Sequence, residues 1–136
     1  MNVVKNIFLF LTILHSLSSF SQKRIEVLQT LDDLGFWSKN VIPISSDSNC
    51  STFLISVTDK VKPHYHSWHT ENLYVISGSA VMRLGDSTLE IKAGDLIVIP
   101  PNTIHSIKVK TMEKFQVISI QSPEFKGKDR IRVKEK

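Results

Sequence analysis

The chain has 136 residues, with 17 Lys and Arg against 13 Asp and Glu, a formal charge of +4, and one cysteine. That length suits one domain, and a single cysteine excludes an internal disulfide framework, so a hydrophobic core must hold the fold. The basic excess gathers in residues 124–136, with six basic and three acidic side chains, and no aromatics alternate with base-reading groups, so nucleic acid is set aside as a partner.

The opening "MNVVKNIFLFLTILHSLSSFSQ" carries Lys5, an apolar run from Ile7 to Leu14, and the small-x-small triplet Ser19-Phe20-Ser21. This is the pattern of a secretory signal peptide over residues 1–21. The apolar run is too short for a stable membrane span, which needs about 20 apolar residues. The expectation is therefore export to a periplasmic or extracellular space. Residues 22–49 give no clear period and are expected to form an N-terminal extension or lid; "SSDSNCS" at their end is loop-like. Asn49-Cys50-Ser51 is a formal glycosylation acceptor in a eukaryotic secretory pathway.

From Thr52 the character changes. "TFLISV", "NLYVIS", "AVMRL", "TLEIK", "DLIVIP", "HSIKV" and "FQVISI" are short β-rich runs, broken by Gly78, Gly85-Asp86, Gly94-Asp95 and Pro100-Pro101-Asn102. Such spacing predicts an all-β sandwich or barrel over residues 50–123. In "TLEIK", Leu89 and Ile91 share one face and Glu90 and Lys92 the other. Met82, Leu84, Leu96 and Val98 are expected to pack inside the barrel. The basic tail, residues 124–136, is expected to be a solvated end.

Beyond the leader there are four histidines: His64, His66, His69 and His105. On an extended strand, side chains two apart share a face, so His64 and His66 point together while Tyr65 turns away. Glu71 follows at the start of the next run, with Leu73 and Val75 on its face and Tyr74 opposite. His105 shares its face with Ile107 and Val109. A lone inward histidine is usually a core residue, but two same-face histidines, a glutamate and a second inward histidine together point to a metal site. Imidazoles and a carboxylate suit a divalent zinc, manganese, iron, nickel or copper ion. His69, in the turn beside Trp68, is expected to be an exposed loop residue rather than an alternative ligand or a proton donor. For Trp37 and Trp68, core packing is the commoner role.

These residues also fall into two motifs. "HYHSWHTENLYVISG" reads H-x-H, four residues, Glu71, six residues, Gly78; "GDLIVIPPNTIH" reads Gly94, five residues, Pro100, four residues, His105. They resemble the paired motifs of the cupin superfamily over roughly residues 54–120. The resemblance implies a double-stranded β-helix (jelly-roll) barrel, often dimeric, so a homodimer is expected. It also implies one divalent metal ion (zinc, manganese, iron or nickel) on His64, His66, Glu71 and His105. The sequence departs from the family pattern at Thr58, Asn102 and Val109, none of them a ligand; Asn102 tolerates the left-handed conformation that a glycine would supply there. "ENLYVISGSAVMRLG" and "VISIQSPEFKGKDRIRV" are more weakly similar to the cupin part of type II mannose-6-phosphate isomerases. The implied function is a metal-dependent isomerase or lyase acting on a small polar molecule such as a sugar or keto acid. A non-catalytic metal- or sugar-binding protein and an iron-dependent dioxygenase are the alternatives. No residue can be assigned as a general base.

Overall fold

The computed structural model describes residues 24–27, 30 and 40–134. The expected leader, Trp37 and nearly half of the expected extension lie outside the described residues. Among the described residues ten strands follow one another: Asn40–Ser46 (β1), Ser51–Val57 (β2), Lys60–Tyr65 (β3), Thr70–Ser77 (β4), Ser79–Leu84 (β5), Ser87–Lys92 (β6), Leu96–Ile99 (β7), His105–Val109 (β8), Phe115–Ser122 (β9) and Ile131–Arg132 (β10). They form two five-stranded sheets, ordered β1-β2-β9-β4-β7 and β10-β3-β8-β5-β6, with every pairing antiparallel. This is the expected all-β double-stranded β-helix. Among the described residues, no helix is long and apolar enough to cross a membrane.

Period-two burial explains the strands. In β4, Glu71, Leu73 and Val75 are buried and Tyr74 is exposed; in β8, His105 and Ile107 are buried while Lys108 is exposed. The inward residues of both sheets meet in a core that includes Leu73, Val75, Ala80, Met82, Ile91, Phe115 and Val117. Full burial of a side chain such as Phe115 or Met82 stabilises the fold by about 1.5–3 kcal/mol.

Three expectations are corrected. Leu96 and Val98 are exposed, at 65% and 52%, and it is Ile97 and Ile99 that enter the core. "LIVI" is apolar throughout, so nothing in it sets the phase. The register does: Leu73 pairs with Ile97 and Glu71 with Ile99, which turns the alternate residues outward. Second, residues 40–46 belong to the sheet rather than to an extension or lid. β1 is an edge strand, where Pro43 is tolerated, and its pairing with β2 is irregular between Pro43 and Ser45. Third, the tail is not simply solvated. Ile131 pairs with Tyr65 and Arg132 with His64, while Asp129 is 0% exposed.

Two turns carry special backbone. Gly78, between β4 and β5, has φ +76, and a Cβ there would lie 2.6 Å from the Lys114 carbonyl oxygen. Asn102 has φ 62, so the expected left-handed turn is present without glycine. Its backbone N–H donates to the His66 carbonyl at 2.6 Å and its side-chain amide to that of Ser67 at 3.2 Å. That turn thereby braces the loop carrying the second histidine.

Candidate metal centre

His64 lies directly opposite His105 across the β3–β8 pair, and their ring centroids are 4.1 Å apart. His66 follows β3 by one residue, with its ring 5.4 Å from each of the other two. Glu71 reaches them from β4 in the facing sheet. Its Oε2 stands 3.4 Å from His66 Nε2 and 3.3 Å from His105 Nε2. The structure thus brings together His64, His66, Glu71 and His105, all buried, each offering a ligand atom within 4.8 Å of the others.

What aims the rings is backbone. His64 Nδ1 donates to the Lys62 carbonyl at 2.9 Å, and His105 Nδ1 to that of Thr103 at 2.9 Å. His66 Nδ1 donates to the carbonyl of Asp129. With each proton fixed on Nδ1, the Nε2 lone pairs are left for an ion, the usual arrangement of ligating histidines. Glu71 is oriented too: Ser119 Oγ donates to its Oε1 at 2.5 Å and Gln121 Nε2 at 3.3 Å, leaving Oε2 to the histidines. The Nε2 atoms of His66 and His105 are buried without a hydrogen-bond partner. Buried polar atoms are normally partnered, and a divalent ion would satisfy both. Three imidazoles and a carboxylate also form a plausible donor set for such an ion.

The charge states of His64 and Glu71 suit an ion, whereas at His66 an ion must displace a proton. Burial lowers the His64 pKa to about 3, with the nearby His105 and Arg130 charges adding to the effect, so that ring is neutral. Burial opposes ionisation of Glu71, but the His105 and His66 rings and the Ser119 hydroxyl outweigh it and hold the group as a carboxylate. Burial also pulls His66 down, yet contact with Glu71 and Asp129 wins and raises it.

His69 is not an exposed loop residue: it is 1% exposed. Its Nδ1 donates to Asp129 Oδ2 at 2.5 Å and its Nε2 to the Glu124 carbonyl at 2.9 Å. Both ring nitrogens are occupied, so no lone pair is left for an ion, although His66, His69 and Asp129 lie close enough to form a second candidate cluster. The Asp129 carboxylate also accepts the backbone N–H groups of Ser67, Trp68 and His69 at 2.7, 3.1 and 3.2 Å. Burial alone would raise its pKa; these donors lower it. One buried aspartate in the C-terminal segment therefore holds the His66–His69 turn through its side chain and the His66 ring through its carbonyl.

The cluster opens into a cavity of about 110 Å³ whose wall is mostly apolar, with Phe53, Ile55, Val61, Ile107 and Phe125 among the lining residues. Among the described residues, Gln121 and Arg130 are its polar lining residues outside the cluster. Trp68 is 54% exposed and does not line it. The sequence reasoning missed Ser119, Gln121, Asp129 and Arg130. For the first two a signal exists: Phe115 and Val117 set an inward phase in β9, and Ser119 and Gln121 are the polar residues that continue it. Nothing local marks Asp129 or Arg130.

Comparison with known proteins agrees with this geometry. Residues 52–121 match a family model described as the cupin domain, Cupin_2. An uncharacterised protein of Aquifex aeolicus is 32% identical over 93 residues, covering 68% of this chain and 76% of its own length. The mannose-1-phosphate guanylyltransferase RfbM of Salmonella typhimurium is 30% identical over 96 residues, 70% of this chain but 20% of that enzyme. A solved structure from Klebsiella pneumoniae, an uncharacterised conserved protein with a double-stranded β-helix domain, superposes with TM-score 0.70 at 16% identity. It covers 85% of this chain and 100% of its own.

Proposed function

The chain belongs to the cupin family, and from that premise we propose that it is an exported metal-dependent enzyme whose ion sits on His64, His66, Glu71 and His105. It acts on a small polar molecule by isomerase or lyase chemistry. The observation that carries this reading is the convergence of the three ring-tethered histidines on Glu71 in the lining of the cavity. A bound zinc, manganese, nickel or iron ion would supply Lewis-acid stabilisation to a developing oxyanion. The protein's own part is to hold the ligand atoms, through the Lys62, Thr103 and Asp129 carbonyls and the Ser119 hydroxyl, and to exclude water with apolar walls. Of the two substrate classes, a keto acid suits the cavity better than a neutral sugar, since the wall offers few partners for hydroxyl groups.

The test is metal content of the mature protein, purified without added metal, followed by turnover assays on keto acids and sugars. Near-stoichiometric zinc, manganese or nickel with turnover supports the reading; no metal, and none taken up on soaking, defeats it. A second reading, an iron-dependent dioxygenase, is favoured by one observation. Among the described residues, the lining outside the cluster includes no carboxylate, lysine or tyrosine to serve as a general base. Near-stoichiometric iron with oxygen consumption would select it.

Export rests on the N-terminal pattern and is tested by the mass of the secreted protein, expected to begin at Gln22. A homodimer is supported by the outer face of the β4–β7–β9 region, where Tyr74, Leu96, Val98 and Ile120 stand exposed.

A further inference from the structure

We propose that Arg130 is the anchor for a carboxylate on the molecule that enters the barrel, so that the site takes small anionic 2-oxo acids with a short aliphatic body. This rests on the proposed metal-bound reading of the cavity and names its ligand class. Arg130 lines the same cavity as the cluster and is its one lining cation among the described residues. Among those residues it makes no hydrogen bond or ion pair, whereas Lys108, Lys110 and Lys126 are each beside an acid. A guanidinium stays charged and presents a rigid fork of donors matched to a carboxylate. It both lines the cavity and is exposed to solvent, so its donors are hydrated until a ligand carboxylate replaces that water.

Its position is built rather than incidental. Asp129, just before it, is pinned by four donors from the His66–His69 turn. Ile131, just after it, is paired with Tyr65 in the sheet. Fixed on both sides, the Arg130 backbone loses little freedom when a ligand binds, which favours affinity. With a divalent ion opposite a single carboxylate ligand, the cavity would be positive at two places. A 2-oxo acid places adjacent oxygens and a negative charge there, and its alkyl end meets Phe53, Ile55 and Val61.

The experiment titrates 2-oxobutanoate, its neutral amide and inorganic phosphate into the full mature protein by calorimetry, metal-loaded and metal-free, for wild type and Arg130→Gln. The expected result is binding of the keto acid at least about tenfold tighter than the amide. Arg130→Gln abolishes that difference while metal stoichiometry and melting temperature stay unchanged, and Arg130→Lys recovers part of it. Equal binding of acid and amide, or keto-acid affinity unchanged within twofold in Arg130→Gln, overturns the proposal. Tighter binding of phosphate than of the keto acid overturns the carboxylate assignment. Loss of metal in Arg130→Gln also overturns it, by making the residue a structural part of the centre. A wild-type protein that takes up no metal defeats the metal reading alone, because the acid–amide difference is still read on the metal-free protein.

Discussion

Asp129→Ala removes one side chain on which two functions converge. Its carboxylate accepts three backbone N–H groups and the His69 ring, and its backbone carbonyl accepts the His66 ring. The donors at Ser67 and Trp68 are part-buried and water can replace the lost acceptor there; the two from His69 are buried. A buried donor left unpaired costs about 1–3 kcal/mol, so two of them cost about 2–6 kcal/mol. Domains of this size have a net stability of about 5–15 kcal/mol, so over most of that range the barrel stays folded at 25 °C and melts earlier. With the segment released, the carbonyl that orients His66 moves away. Losing such an outer partner lowers metal affinity about 10–100-fold. Urea unfolding of the metal-free protein and a competitive metal titration at 25 °C read the two effects separately. Asp129→Asn, which keeps one acceptor oxygen, should lie between wild type and alanine in both. A loss of stability below about 0.5 kcal/mol, together with unchanged metal affinity, would refute the assignment of Asp129 as the brace of the site.

His105→Ala should lose bound metal yet leave a folded barrel, because its ring lies in the histidine–glutamate cluster and not in the hydrophobic core; elemental analysis and circular dichroism check both, and unchanged stoichiometry would sink the ligand assignment. His69→Ala should keep full metal stoichiometry at saturating metal while losing about 1–3 kcal/mol of stability, read by denaturant midpoint; metal loss at saturation would count His69 as a ligand after all. Gly78→Ala should destabilise by at least about 2 kcal/mol, combining the left-handed backbone cost with a methyl 2.6 Å from the Lys114 carbonyl oxygen; a melting temperature equal to wild type contradicts it. Leu96→Lys with Val98→Lys should convert a dimer to monomer in light scattering without a change in metal content, since both side chains point away from the cavity; a wild-type monomer would remove the dimer reading.

Much of the candidate centre is legible locally. The two-residue spacing of His64 and His66 puts both rings on one face, and His105 declares its phase through Ile107 and Val109. The ligand set needs little more, because strand alternation is a property of the backbone itself. Legibility ends where the run of residues has no polar member to set its phase. "LIVI" shows this: Leu96 and Val98 read as core, and pairing with β4 turned them outward. It ends too where a residue's environment comes from afar. His69 reads as an exposed turn residue, and only the return of the C-terminal segment, 60 positions along the chain, buries it against Asp129.

The sequence by itself determined the strand alternation, the turns at Gly78 and Asn102, and which four side chains share the inward phase, since each depends on neighbours a few residues away. Only the tertiary structure decided which apolar face of β7 is core, that Ser119 and Gln121 orient Glu71, and that the basic tail packs beside the site, with Asp129 bonded to the His66–His69 turn and Arg130 lining the cavity. Those outcomes rest on register and on buried hydrogen bonds between distant segments. Composition marks the tail only as charged and soluble, and the donors that hold Asp129 in place exist only once the barrel has folded.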